Sequence, residues 1–206
     1  MRAADHASLQ IAWEAYGETL DEPLPPYGAI AIAAPIRSDA IKFTNNPWIV
    51  RPALMNERLK LEHRVLVNDF EAVAHAVAAV DDNQLMHITG PEGPLPQEGV
   101  ISVVGPGTGL GVALLYREKG RVHVLPTEGG HSDFAPLDEV EERVLTHLRK
   151  KHNRVSVERV VAGGGLRAIW DVLAELEGSD VPKGDDKTLW SIALEGRDSI
   201  AEAALD

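Results

Sequence analysis

Apolar and polar positions along the chain switch between the two periods that separate helices from strands. Over residues 4–20, Leu9, Ala12, Ala15 and Tyr16 recur at helical spacing and predict a helix ending near Gly17. The unbroken apolar run at 27–34 predicts a strand buried on both faces, as in a parallel or mixed sheet. Pro35 stops it, and the alternation over 40–44 predicts a second strand leading into Asn45-Asn46-Pro47-Trp48. Residues 51–61 read as a helix with Pro52 in its first turn. Then come a short strand at 63–67 and a helix at 71–80 with Val73, Ala74, Val77 and Ala78 on one face. Residues 81–99 are loop-like, rich in Pro, Gly and acids. They read as a linker between a small α/β domain at 1–80 and a larger one at 100–206.

The second half opens with a buried-looking strand at 101–104 and glycines at 105, 107, 109 and 111. Two β-rich runs flank a hairpin turn at Glu118-Lys119-Gly120. Residues 137–152 predict a helix with a buried stripe of Val140, Val144 and Leu148. Its acids come first and its bases last, the order that the helix dipole favours. Helices follow at 156–161 and 166–176, with Gly163-Gly164-Gly165 between them read as a helix C-cap in preference to a segment near a nucleotide. An amphipathic helix at 187–205 places Leu189, Ile192, Ala193, Ile200 and Ala203 on one face. Trp13, Trp48, Trp170 and Trp190 are scattered, as packing residues are. The front sheet begins with no strand ahead of its first helix and the last helix carries no cap, so the chain reads as the middle of something longer.

Composition narrows the field. With 44% hydrophobic residues, the 206-residue chain can bury a real core. A net charge of −12 argues against nucleic acid or anionic membrane as partner, because both need basic patches. The absence of cysteine excludes disulfides and thiolate zinc sites and fits a cytoplasmic protein. Neither a membrane-length apolar run nor a signal-like N-terminus is present. A soluble, acidic protein that works on small molecules is expected.

The candidate chemistry lies in the centre. Glycines at the end of a strand let backbone N–H groups approach an anion, usually a phosphate. Beside them, in Glu128-Gly129-Gly130-His131, a carboxylate that only accepts hydrogen bonds meets an imidazole that can do both, which suits vicinal hydroxyls. Phosphate and polyol together suggest a sugar kinase. The Gly107-Thr108-Gly109 segment is followed by a hairpin strand and not a helix, so it is not a dinucleotide fingerprint. Without a following Lys-Ser/Thr it is not a Walker A loop either. Asn68-Asp69 closes a strand just before a helix, where open α/β sheets bind ligands. Asp69 reads equally as a general base or a helix N-cap, while Asn68, alone, is more often a turn residue than a sugar contact. Taken alone, Glu128 and His131 are more often solvated loop groups than ligand readers, and Glu158 is a first-turn acid.

Six ordered blocks, AIAAPI, FTNNPW, VLVNDFEAVAHA, VVGPGTGLGVALL, LPTEGGHSDFAP and VSVERVVAGGGL, cover most of residues 29–166. In them the sequence closely resembles the bacterial ATP-dependent glucokinases of the proteobacterial type, in the hexokinase and actin-like ATPase superfamily. The resemblance implies an α/β, actin-like (ribonuclease-H-like) sugar-kinase fold with two α/β domains around a cleft. It also implies a fold incomplete at both ends, lacking the opening DxGGTN phosphate loop and a C-terminal glycine-rich segment. The activity implied is transfer of phosphate from ATP, with Mg2+, to D-glucose, giving glucose 6-phosphate at the entry to glycolysis. Asp69 is the implied general base. Asn45, Asn68, Asp69, Glu128, His131 and Glu158 are the implied sugar contacts, and Gly107, Thr108 and Gly109 the implied phosphate contacts. A cytoplasmic enzyme and a homodimer through the larger domain follow from the same resemblance. The related ROK-type kinases that carry a zinc cluster are excluded by the lack of cysteine. The second reading is a truncated, non-catalytic fragment that binds sugar without transferring phosphate.

Overall fold

The computed structural model describes every residue except Met1, Pro35, Arg37, Thr44, Asn45, Pro182 and Asp206. The backbone divides into two compact units, Met1–Gly99 with Leu115–Pro126, and Val100–Leu114 with Thr127–Asp206.

In the first unit, helix α1 (Leu9–Gly17) starts at Ser8, whose side chain accepts the Ile11 N–H. Strand β1 (Tyr27–Ile32) is followed by the short antiparallel pair β2 (Ile41–Lys42) and β3 (Ile49–Val50). Helix α2 (Pro52–Leu59) has Pro52 in its first turn, where a missing N–H does no harm, and ends on Lys60 in the left-handed conformation. Strand β4 (His63–Asn68) lies parallel to β1, from Tyr27 opposite His63 to Ile32 opposite Asn68, and helix α3 (Asp69–Ala79) follows directly. Ile32, Ile41, Val50, Met55, Leu59 and Leu61 form the core, with Trp13 packed against it.

Three expectations change here. Strand β1 is not buried on both faces: Ile30 and Ile32 turn to the core, while Tyr27, Ala29 and Ala31 are exposed. Side chains alternate across a strand, so an apolar run does not reveal how many of its faces are covered. Only Ala74 of the expected α3 stripe is buried, and Val73 is exposed. Strand β3 was not foreseen, because two residues carry no period.

Strands β5 (Gly99–Pro106), β6 (Leu110–Glu118) and β7 (Arg121–Thr127) form one sheet in that order. The hairpin between β6 and β7 turns at Lys119-Gly120, both with positive φ, as a type I′ turn demands. In β5 only Val103 is buried and Val100 and Val104 are exposed, so this strand too is covered less than its sequence suggested.

Beyond this sheet, the second unit carries the helices α4 (Glu139–Arg149), α5 (Val157–Val161), α6 (Gly165–Glu177), α7 (Asp186–Leu194) and α8 (Ser199–Ala203). Helix α6 is apolar on two sides. Leu166, Trp170 and Ala174 pack with Leu189, Ala193 and Ala201, while Ala168 and Val172 pack with Val144, Leu145, Leu148 and Val155. Val140 is exposed, and Leu145 takes the place expected for it in the α4 stripe. The single helix expected at 187–205 is two. Gly196 takes a positive φ, and the Asp198 side chain then caps α8 through the Ile200 and Ala201 N–H groups. That break buries Ala201 and leaves Ala203 exposed. No helix among the described residues is long and apolar enough to cross a membrane.

Candidate active site

In the first unit, the junction of β4 and α3 is fixed by a capping box. The Asn68 Oδ1 accepts the N–H groups of Phe70 at 2.9 Å and Glu71 at 3.3 Å, and Glu71 Oε2 accepts the Asn68 N–H at 3.2 Å. The N-cap is therefore Asn68, which corrects the capping alternative read for Asp69. As the first helical residue, Asp69 uses Oδ1 to accept the Phe70 N–H at 2.9 Å. Its other carboxylate oxygen has no protein partner among the described residues, and the Asn68 side-chain NH2 is likewise left to donate. Asn45, the further sugar contact, lies outside the described residues.

In the second unit, β5 passes to β6 through Gly107-Thr108-Gly109. The Gly107 N–H donates to the Gly109 carbonyl at 2.8 Å, and the Gly163 N–H donates to the Gly107 carbonyl at 2.9 Å. The second bond ties this turn to the corner between α5 and α6. The run of three glycines is that corner and not a C-cap: Ala162 caps α5, Gly164 stands at the N-cap of α6, and Gly165 lies where a Cβ would collide with the Val160 carbonyl.

Glu128 leads into a short 3-10 turn at Gly129–His131. Thr127 Oγ1 donates to the Val112 carbonyl at 3.0 Å and accepts the Gly129 N–H at 3.2 Å, while Ser132 Oγ donates back to Gly129 at 2.6 Å. The turn presents the His131 ring between two carboxylates, with Nδ1 3.2 Å from Glu128 and Nε2 3.6 Å from Oε1 of Glu158. Oε2 of Glu158 accepts the Leu110 N–H at 2.9 Å. Glu128, His131, Glu158 and the end of the glycine turn thus form one continuous line. Exposure falls along it, from 70% at Glu128 to 53% at His131 and 30% at Glu158. The outer groups can therefore exchange each other for a ligand, while the inner one is held.

What brings Glu158 to His131 is a short zipper. Val157 N–H donates to the Ser132 carbonyl at 2.9 Å, Phe134 N–H donates to the Val155 carbonyl at 3.0 Å, and Asp133 bridges Ser156. Arg154 locks it, donating to the Asp133 carboxylate and to the His131 carbonyl. Sequence reading missed Arg154, since its partners are remote in the chain and leave no spacing signal. Thr127 and Ser132 could have been found, because hydroxyls that bracket a glycine pair commonly bond the backbone beside them. Next to Thr108 and Glu158, Lys151, Arg159 and Arg167 line a cavity of about 190 Å³. In a chain of net charge −12 this is a local positive site suited to an anion.

The family model for glucokinase matches residues 1–206. The chain belongs to the glucokinase family. It is 55% identical over 205 residues to the glucokinase of Zymomonas mobilis, covering 100% of this chain and 63% of that protein. It is 39% identical over 202 residues to that of Hahella chejuensis, covering 98% and 62%. The chain therefore spans less than two thirds of the length of these relatives. Among solved structures, the glucokinase of an Antarctic psychrotroph superposes with a TM-score of 0.81 at 31% identity, over 100% of this chain and 63% of that one. A Balamuthia mandrillaris glucokinase in complex with glucose gives 0.73 at 18% identity, over 96% and 62%, a likeness of fold. The α/β architecture is that of the glucokinase fold.

Proposed function

We propose that this protein takes part in transfer of the γ-phosphoryl group of ATP to D-glucose, giving ADP and glucose 6-phosphate. The observation that carries this reading is the line Glu128–His131–Glu158, joined to the Gly107–Leu110 turn in a chain of the glucokinase family. Carboxylates that only accept and an imidazole that both donates and accepts can sort the hydroxyls of a hexose. The Asn68 NH2, and Asn45 beyond the described residues, would add further contacts. Gly107, Thr108 and Gly109 would face the ATP phosphates, with the positive cavity offsetting their charge.

Asp69 would serve as the general base. Its second carboxylate oxygen would orient the 6-hydroxyl and accept its proton as the bond from O6 to phosphorus forms and the bond to the ADP oxygen breaks. The Phe70 N–H holds the other oxygen of that carboxylate, and the capping of the helix is left to Asn68. Mg2+ bound to the triphosphate would supply charge neutralisation. It commonly relies on phosphate oxygens and waters more than on a protein cage, and among the described residues no group of three or more His, Cys, Asp or Glu is built to hold a metal. The reading implies a cytoplasmic enzyme, as a homodimer.

The test is coupled detection of glucose 6-phosphate with ATP, Mg2+ and glucose, beside Asp69→Asn. Turnover that the substitution removes supports the reading. Glucose binding without any turnover would favour a sugar-binding role without transfer. Neither binding nor turnover would sink both.

A further inference from the structure

We propose that the Gly107–Leu110 turn, on the phosphate side, sets the position of the sugar carboxylate Glu158, so that sugar and phosphate binding are coupled through the backbone of Leu110. The inference rests on the reading of Glu158 as a sugar contact.

The backbone of Leu110 is gripped on both sides. Its N–H donates to Oε2 of Glu158 at 2.9 Å. Its carbonyl lies against Gly130 so closely that a Cβ there would overlap the oxygen. The two peptide groups that flank the Leu110 Cα, at the end of the phosphate turn, therefore touch both sugar-reading elements, Glu158 and the Glu128–His131 turn.

Gly109 makes the relationship specific. A Cβ built on it would lie 2.7 Å from Oε2 of Glu158, nearer than side-chain carbons approach an oxygen. The space that a side chain at 109 would need is already filled by the carboxylate. Glycine at this position thus serves the sugar site as well as the phosphate turn.

The two oxygens of Glu158 face different partners, Oε2 to Leu110 and Oε1 to His131. A sugar hydroxyl donating to Oε1 fixes the plane of the carboxylate and with it the charge-assisted bond to Leu110. An anion that orders the turn holds Leu110 and thereby orients Oε1. By linkage the coupling is equal in both directions.

The clash at Gly109 would fall on the free end of a flexible side chain. Gly109→Ala should therefore fold, with the Glu158 carboxylate displaced. Calorimetric titration of glucose without nucleotide should show its Kd raised about tenfold in Gly109→Ala, the scale of one weakened charged hydrogen bond. In the unsubstituted protein, the Leu110 amide resonance should move on glucose saturation in the absence of nucleotide. An unchanged Kd in a folded Gly109→Ala protein, or a Leu110 amide indifferent to glucose while His131 responds, would overturn the coupling and leave the sugar reading intact. Should Gly109→Ala fail to fold, the amide measurement decides alone. No glucose binding by the unsubstituted protein would overturn the sugar reading itself, and the coupling with it.

Discussion

His131 Nε2 lies 3.6 Å from Oε1 of Glu158, although α4 stands between the segments that carry them. Neither side chain is deeply buried, and neither belongs to a hydrophobic core cluster. Their meeting buries little and is open to a ligand. His131→Ala should therefore raise the glucose KM about 10- to 100-fold, the range of one or two lost hydrogen bonds involving charged groups. The melting temperature should stay close to that of the unsubstituted protein. Steady-state kinetics beside a thermal melt checks both, and a large loss of stability would mean that the pair holds the fold.

Asn68 and Asp69 are neighbours with separable tasks. Asn68→Ala removes the side-chain acceptor for two helix N–H groups and should lower stability by about 1 kcal/mol, a typical cost for a lost N-cap. Asp69→Asn keeps the cap and should leave the melting temperature nearly unchanged while kcat falls about 10²- to 10⁴-fold. If Asp69→Asn melts early with kcat intact, the assignment of roles is reversed.

Trp170 is the largest fully buried side chain, at the centre of the α6–α7–α8 core. Trp170→Ala should cost about 3–5 kcal/mol, a large part of the stability of an ordinary domain. Denaturant melts should show an early transition or a chain that does not fold. A mild effect would mean that the helices collapse into the space.

Signals carried by adjacent residues were legible in the sequence. Pro52 in the first turn of α2, the Lys119-Gly120 hairpin and the strand-to-helix step at Asn68-Asp69 each follow from local backbone chemistry. Failures came where a local pattern depends on what lies over it. The run at 27–34 could not show that Tyr27, Ala29 and Ala31 face outward, and the helical spacing of 187–205 continued straight through Gly196. Within the site, residue types suggested a phosphate turn and a hydroxyl reader. Glu158 came from the family resemblance, since alone it is one acid in the first turn of a short helix. The Leu110 N–H that holds it is a backbone group, invisible to any reading of side chains.

Arg154 tests whether the sugar site depends on its support as well as on its contacts. The guanidinium joins the Asp133 carboxylate to the His131 carbonyl, so it constrains the residue whose ring faces Glu158. Both charged side chains are more than half exposed, and exposed pairs contribute about 0–1 kcal/mol, so Arg154→Ala should barely move the melting temperature. Loss of the second bond should still widen the positions open to His131 and raise the glucose KM several-fold, with a smaller effect on kcat. Lysine has a single ammonium in place of a fork and cannot span both acceptors in the same way, so Arg154→Lys should restore only part of the affinity. In Arg154→Ala/His131→Ala the two effects should fall well short of additive, because a tether matters only while the ring it holds is present. Full additivity would show that Arg154 acts elsewhere.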